Sequence, residues 1–429
     1  MVSGAVVQNF CLSYAILPLA PASLILEDPA AIRIIRYQTE EKHRVVKVLR
    51  ISTILGFCIA VSSGVAAQTP CNPPHIIDSQ ITLGSIHDVT YCRQALVNDA
   101  FGTWDGNIPA TLPVVTRNVR NPFWWVPNIA EVDNYHDPSS PPDATSEDAL
   151  LYIAGPVSSG KVVILNGGHT GTCDWTQFPP DEGTVDLLQQ LLAAGHSVLA
   201  TNLLGCGNDD DAVTAKFADL TIGYYLAIPT QAMNYWHLTR QFTEYDMAGL
   251  SGGGWLTAIA AALDPRITLS FAVAGSMPGI EFVPDWERCL QWSEDCWPQE
   301  MVIPRYYGIA GYLDHYILAS TGWGREHTQI LNYEDNCCVG PLEWNGTLWW
   351  YYGESWDAFV ANYAAALTAT LQNIQPSSWQ LVVDMVANQH QFSPCAECII
   401  LNSLEPPSDQ SAAGPVATAA KHYCKKKYR

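Results

Sequence analysis

The pentapeptide Gly249-Leu250-Ser251-Gly252-Gly253 sets a hydroxyl among glycines in the pattern G-x-S-x-G. Such a serine can act as a nucleophile. The glycines let the chain turn sharply from a strand into a helix and keep neighbouring side chains from colliding there. At ordinary Gly and Ser usage the pattern arises by chance in a chain of this length about once in five to ten sequences. Its force therefore comes from its surroundings. Tyr245 to Leu250 reads as a strand directly before it, and Gly254 to Leu263 as a small-residue helix directly after, ending before Asp264-Pro265.

Other groups fit chemistry less well. Asp209-Asp210-Asp211, after Gly207-Asn208, gathers carboxylates that could take Ca²⁺, but EF-hand spacing is missing and a solvated loop suits it better. Cys395-Ala-Glu-Cys398 has redox or zinc spacing, yet no second pair with zinc spacing accompanies it. Gly167-Gly168 lacks the Lys-Ser/Thr of a phosphate loop, and Asn345-Gly-Thr347 is a glycosylation sequon only in a eukaryotic secretory path. No metal and no cofactor is expected.

The elements that must position Ser251 alternate between strand and helix from about residue 150 to 392. Lys161 to Asn166, ending at Gly167-Gly168, is a short apolar run of the kind a buried strand shows. Further strands are predicted at His196–Thr201, Leu269–Ala274, Gln329–Tyr333 and Gln380–Val386. Helices are predicted at Val185–Ala194, Ile222–Phe242 with Pro229 as a kink or boundary, and Trp356–Leu371. This alternation implies an α/β fold with a mostly parallel central sheet and helices on both faces. No internal repeat is present. The segment 134–148 reads as a polar loop, and 403–429 as a flexible tail.

Residues of about 150–392 resemble the α/β-hydrolase fold, the likeness resting on Gly-Leu-Ser-Gly-Gly-Gly-Trp at 249–255 and Ala-Leu-Asp-Pro-Arg at 262–266. These stretches are similar to the nucleophile turn and following helix of its secreted esterase-like members. The resemblance implies a catalytic triad in the chain order Ser, acid, His. His390, shortly after the last strand, matches the base; His327 and His315 precede a strand instead. Asp335, after the strand at 329–333, matches the acid, with Glu334 beside it as runner-up and Asp314 a distant third. By the same resemblance, the amide of Gly252 and one from the loop Gly167-Gly168-His169-Thr170-Gly171 would form the oxyanion hole. Thr170 is preferred, with His169 next. The implied roles are a Ser nucleophile, a His base and a carboxylate that holds the His tautomer.

Some fifty residues rich in Trp, Tyr and Pro separate the strand ending near Gly275 from that starting at Gln329. In this fold an insertion there commonly forms a cap, expected here at about 277–326. Its aromatics (Trp286, Trp292, Trp297, Tyr306, Tyr307, Tyr312, Trp323) could stack on substrate or fill the cap's own core.

Composition bounds the partners. Of 429 residues 48% are hydrophobic and 15% charged, which excludes disorder over most of the chain. Residues 68–420 hold ten Lys/Arg against 38 Asp/Glu, a net of −28 that repels phosphate backbones and argues against nucleic acid. Lys47 and Arg50 precede the apolar run Ile51–Val61, with Val65 and Ala67 at the −3 and −1 positions before Gln68. This reads as a secretory signal in a leader of residues 1–67, with a start placed too far upstream. The run is too short for a stable membrane span. Eleven cysteines beyond it suit an oxidising compartment, with Cys71–Cys92, Cys289–Cys296 and Cys173–Cys206 as guessed pairs. The expected protein is thus a secreted or periplasmic serine hydrolase, residues 68–402 forming its catalytic domain and a small or polymeric ester its substrate. A peptidase or amidase of the same fold, or an inactive binding protein that kept it, are the alternatives.

Overall fold

In the computed structural model, residues 81–123, 125–138, 148–155, 158–168, 183–202, 222–278, 304–335, 350–351, 354–385, 387 and 389–405 are described. The chain divides into two compact units, Met1–Asn72 and Pro73–Arg429, and every described residue lies in the second. The leader, the loop at 209–211, the sequon at 345–347 and both His169 and Thr170 lie outside the described residues.

A nine-stranded sheet forms the centre. Its first strands, β1 (Val114–Thr116), β2 (Ile129–His136) and β3 (Asp148–Ala154), pair antiparallel, and β3 is antiparallel to β5 (Ser197–Thr201) as well. From β5 onward every pairing is parallel. It runs through β4 (Lys161–Asn166), β6 (Glu244–Leu250), β7 (Ile267–Val273), β8 (Glu326–Asn332) and β11 (Trp379–Asp384). The order across the sheet is β1-β2-β3-β5-β4-β6-β7-β8-β11. Parallel strands covered on both faces need no polar side, which is why Val162 to Leu165 and Val198 to Ala200 are apolar throughout and fully buried. A separate ribbon pairs β9 (Trp350–Tyr351) with β10 (Glu354–Ser355).

Crossover handedness assigns the helices to faces. The chain moves one way from β4 to β5 and the other way from β5 through β6 and β7 to β8. Right-handed connections then set α2 (Thr184–Ala193) on the face opposite α3 (Gly223–Thr239) and α4 (Gly252–Leu263). Packing agrees. α1 (Ile86–Phe101), α4 and α6 (Tyr312–Ser320) touch one another and α6 meets α7 (Trp356–Leu371), while α2 packs against α8 (Pro394–Leu404). The reversal occurs at β4, and the carboxyl end of a sheet at such a switch is where ligands enter α/β folds.

Most elements fall within a few residues of their sequence-based positions, and several expectations change. Residues 304–320 are not part of a cap: α5 (Pro304–Tyr307) and α6 belong to the crossover from β7 to β8, which a parallel pair requires. Every residue of α6 is buried, and Tyr316 stacks on His327 of β8, the rings 5.5 Å apart. Of the expected cap aromatics, Tyr306 and Tyr312 are therefore core and Tyr307 is half-buried against it, while Trp323 is 89% exposed. Residues 279–303, with Trp286, Trp292 and Trp297, lie outside the described residues. Residues 403 and 404, expected in the tail, are helical instead: α8 continues to Leu404, whose carbonyl accepts from Lys161 Nζ at 3.1 Å, and residues 406–429 lie outside the described residues. Cys92 is a buried free thiol of α1, so the guessed Cys71 pairing is not formed; burial, with Asp314 nearby, pushes the thiol up to about 12. Pro229 neither ends nor splits α3, which runs through it.

Two arginines close the face formed by α4 and α6. Arg93 donates to the carbonyls of Ala262 (2.8 Å) and Leu318 (2.7 Å). Arg325 donates to those of Ile267 (3.0 Å), Leu318 (3.0 Å), Thr321 (2.8 Å) and Ala261. Apart from Ile267 O, at the start of β7, these are carbonyls at the carboxyl ends of α4 and α6, where a helix lacks its own donors. Asp314 likewise ties backbone together. Its carboxylate accepts from Thr82 N (2.9 Å), Thr82 Oγ1 (2.7 Å) and Leu83 N (3.2 Å).

Buried histidines give this core a pH signature. Burial drives His327 down to about 3, helped by nearby Arg325, and His315 down to about 4. Both are neutral in the folded chain where the unfolded chain would bind protons, so each stabilises fully above the unfolded value and less as pH falls toward its folded one. Asp246 and Glu397, raised to about 7 mainly by burial, work in the opposite sense and mask the net slope. A difference measurement removes the mask. Relative to wild type, His327→Gln should lose about 1.4 kcal/mol less stability per pH unit between pH 6 and 4, read from urea unfolding.

Candidate active site

Ser251 sits between β6 and α4 with φ 58° and ψ −131°, a left-handed-side conformation that costs on the order of 1–3 kcal/mol for a residue with a side chain. The surroundings enforce it. Ser251 N donates to Val273 O at 3.0 Å, and Ser251 O accepts from Gly254 N (2.8 Å) and Trp255 N (3.1 Å). A Cβ on Gly253 would strike the carbonyl oxygens of Asn166 and Gly167, so α4 can start this close to β4 only with glycine there. Across the gap, a Cβ on Gly168 would meet the Ser251 side chain and Leu250 O. The main chain of the loop after β4 thus passes directly over the hydroxyl. Ser251 is 6% exposed.

Gly252 is the first residue of α4. An amide there has no carbonyl one turn back to bond, and it stands at the positive end of the helix dipole. It can donate to an oxygen that becomes negative beside Ser251. His169 and Thr170, the other oxyanion candidates, lie outside the described residues, though Gly168 just before them marks where their loop leaves β4.

Asp335 and His390, 55 positions apart in the chain, are brought together. His390 Nδ1 and Asp335 Oδ2 are 2.9 Å apart, with the carboxylate fully buried and the imidazole 16% exposed. Glu334, the runner-up, is exposed instead. The rival histidines are engaged elsewhere: His315 Nδ1 bonds Gly311 O (2.7 Å) and its Nε2 bonds Tyr306 OH (3.0 Å), while His327 Nδ1 bonds Ser270 Oγ (2.8 Å). Asp314, occupied with Thr82 and Leu83, is not at the site. Ser251, Asp335 and His390 all follow carboxyl ends of parallel strands, β6, β8 and β11.

Supporting residues escaped the sequence reading. Ala274 (φ 45°) and Gly275 follow β7, and a Cβ on Gly275 would run into Ser251 O, so this turn backs the serine from the side of β7. Ser276 Oγ and Tyr316 OH, 2.7 Å apart, secure it, and Gln329 Nε2 donates to Ser276 O. No motif advertises these residues; they are found only once β7, α6 and β8 are neighbours. Among the described residues no group of three or more His, Cys, Asp or Glu is placed to hold a metal ion.

No family model matches the sequence, and a search of curated proteins finds no match. Solved structures do resemble it. An acetyl xylan esterase from Paenibacillus sp. R4 is 13% identical with a TM-score of 0.44, over 77% of this chain and 98% of that one. Acetyl xylan esterase 1 from Thermoanaerobacterium sp. JW/SL YS485 is 13% identical with a TM-score of 0.41, over 84% and 100%. Against an acylaminoacyl peptidase from Pyrococcus horikoshii the values are 11% and 0.37; the match covers 66% of this chain and only 38% of the peptidase. Likeness of this degree speaks to neither activity nor substrate. The strand order, the antiparallel β3, the reversal at β4 and the strained serine turn after β6 speak to the fold: this chain carries the α/β-hydrolase fold.

Proposed function

We propose that the protein is an exported serine hydrolase that cleaves carboxylic esters through an acyl-enzyme, with Ser251 as nucleophile, His390 as base and Asp335 as its partner. The observation that carries this reading is Ser251 held at positive φ beneath the Gly168 main chain, on the sheet edge that also holds the bonded His390–Asp335 pair. The likeness of residues 249–255 and 262–266 to secreted esterase-like sequences favours an ester over an amide.

The chemistry follows from proton positions. With Nδ1–H donating to Asp335, the His390 lone pair lies on Nε2, the tautomer a general base needs. Nε2 takes the Ser251 proton as Oγ bonds to the ester carbonyl carbon, and the carbonyl electron pair moves onto oxygen. The Gly252 amide, with one from the 169–170 loop, stabilises that oxyanion. As it collapses, the ester C–O bond breaks and His390 returns the proton to the departing alkoxide. Water, deprotonated by the same imidazole, then releases the acid and restores Ser251.

Four outcomes test this. Ser251→Ala should abolish labelling by a fluorophosphonate and lower turnover of short p-nitrophenyl esters by up to about 10⁶-fold; near-normal turnover in that variant would overturn the serine mechanism. Asp335→Asn should cost about 10⁴-fold in kcat by favouring the wrong tautomer, and Glu334→Gln little. An aminoacyl-amide panel cleaved faster than the esters would replace the esterase reading with a peptidase one. Export predicts secreted material whose amino terminus is near Gln68, checked by N-terminal sequencing; residues 1–44 found still attached would refute it.

A further inference from the structure

We propose that Asn332 is a positioning residue for His390, its side-chain amide holding the main chain on both sides of the imidazole so that the ring meets Asp335. The proposal rests on the triad reading above and goes on to say what sets the triad's geometry.

Asn332 is the last residue of β8 and fully buried. Its Nδ2 donates to Gln389 O at 3.1 Å and to Gln391 O at 2.8 Å. One amide nitrogen therefore engages the carbonyls immediately before and after His390. On the other side, Asn332 O accepts from Asp335 N at 3.3 Å, closing the turn that presents the carboxylate. One residue thus touches the segments of both partners: the acid's through its main chain, the base's through its side chain. The separation of 55 positions along the chain is bypassed.

Neighbouring bonds do a different job. Beyond the ladder, Tyr333 N donates to Asp384 O (2.9 Å) and Glu334 N to Ala387 O (3.1 Å), which extends the β8–β11 pairing. Asp384, opposite Asn332 in register, accepts from Ala387 N (3.3 Å) and Ser393 Oγ, and Ser393 in turn caps α8. These bonds fasten the two ends of the loop, whereas those of Asn332 flank His390 itself. The Oδ1 of Asn332 finds no partner among the described residues. The amide is placed for its donor end, which a carboxylate of the same shape lacks.

The test compares Asn332→Ala and Asn332→Asp with wild type. Turnover is expressed per fluorophosphonate-labelled site, so that loss of folded molecules does not count as loss of rate. Both variants should lose about 10- to 100-fold in kcat with KM within about twofold, the penalty of a base displaced by an ångström or less. The low-field ¹H NMR signal of the His390 Nδ1 proton, assigned by its absence in His390→Gln, should broaden or vanish in both. Wild-type kcat per labelled site together with an unaltered proton signal overturns the proposal. So does a lowered Tm with that signal intact, since it would assign Asn332 a structural role alone. The triad reading fails separately: turnover surviving in Ser251→Ala removes it, and the NMR signal still decides whether Asn332 sets His390 against Asp335.

Discussion

Everything at this site depends on three stretches of backbone approaching one another more closely than side chains allow. The start of α4 lies against the end of β4, the loop after β4 lies against Ser251, and the turn after β7 lies against the Ser251 carbonyl. Glycine stands at each meeting point, as Gly253, Gly168 and Gly275. The serine keeps its side chain there, in a conformation that its own energetics disfavour. The strain persists because β4, β6 and β7 are joined by parallel ladders within a buried core, and a local relaxation would have to open that core.

The histidine is held by a different principle. It lies on a loop rather than at a strand end, and its place is defined by hydrogen bonds: Asp335 on the ring, Asn332 on the flanking carbonyls, Asp384 and Ser393 at the loop's foot. A buried carboxylate such as Asp335 needs hydrogen-bond partners to offset its lost hydration, and the His390 imidazole is one. The same logic runs through the opposite end of α4 and α6, where half-buried Arg93 donates to two carbonyls and buried Arg325 to four.

How much of this could be read from residues alone follows from the range of the forces involved. The strands and helices around Ser251 were legible because buried parallel strands and the glycine turn leave local marks in sequence: Lys161–Asn166 and Trp356–Leu371 are found where the pattern puts them. The resemblance pointed to Asp335 and His390 by their places after successive strands, and the fold brings these two side chains together. The α5–α6 crossover was hidden by its aromatics, since Tyr306, Tyr312 and Tyr316 look the same in a cap and in a core. Whether a tyrosine hydroxyl is satisfied, as Tyr316 is by Ser276 and Gln329, depends on neighbours 13 to 40 positions away. Asn332 carries no local signal at all, because its partners are 57 and 59 residues downstream.

These two ways of holding a residue imply different sensitivities. At the serine turn the constraint is volume: any added carbon meets backbone, so even alanine at Gly253 or Gly275 must move a strand end. At the histidine loop the constraint is polarity: a side chain of unchanged size that exchanges a donor for an acceptor faces two carbonyl oxygens with nothing to offer them. Ser251 is therefore rigid because its surroundings leave no alternative position. His390 is placed by directed bonds that can lengthen and reform, which suits the proton transfers proposed for it.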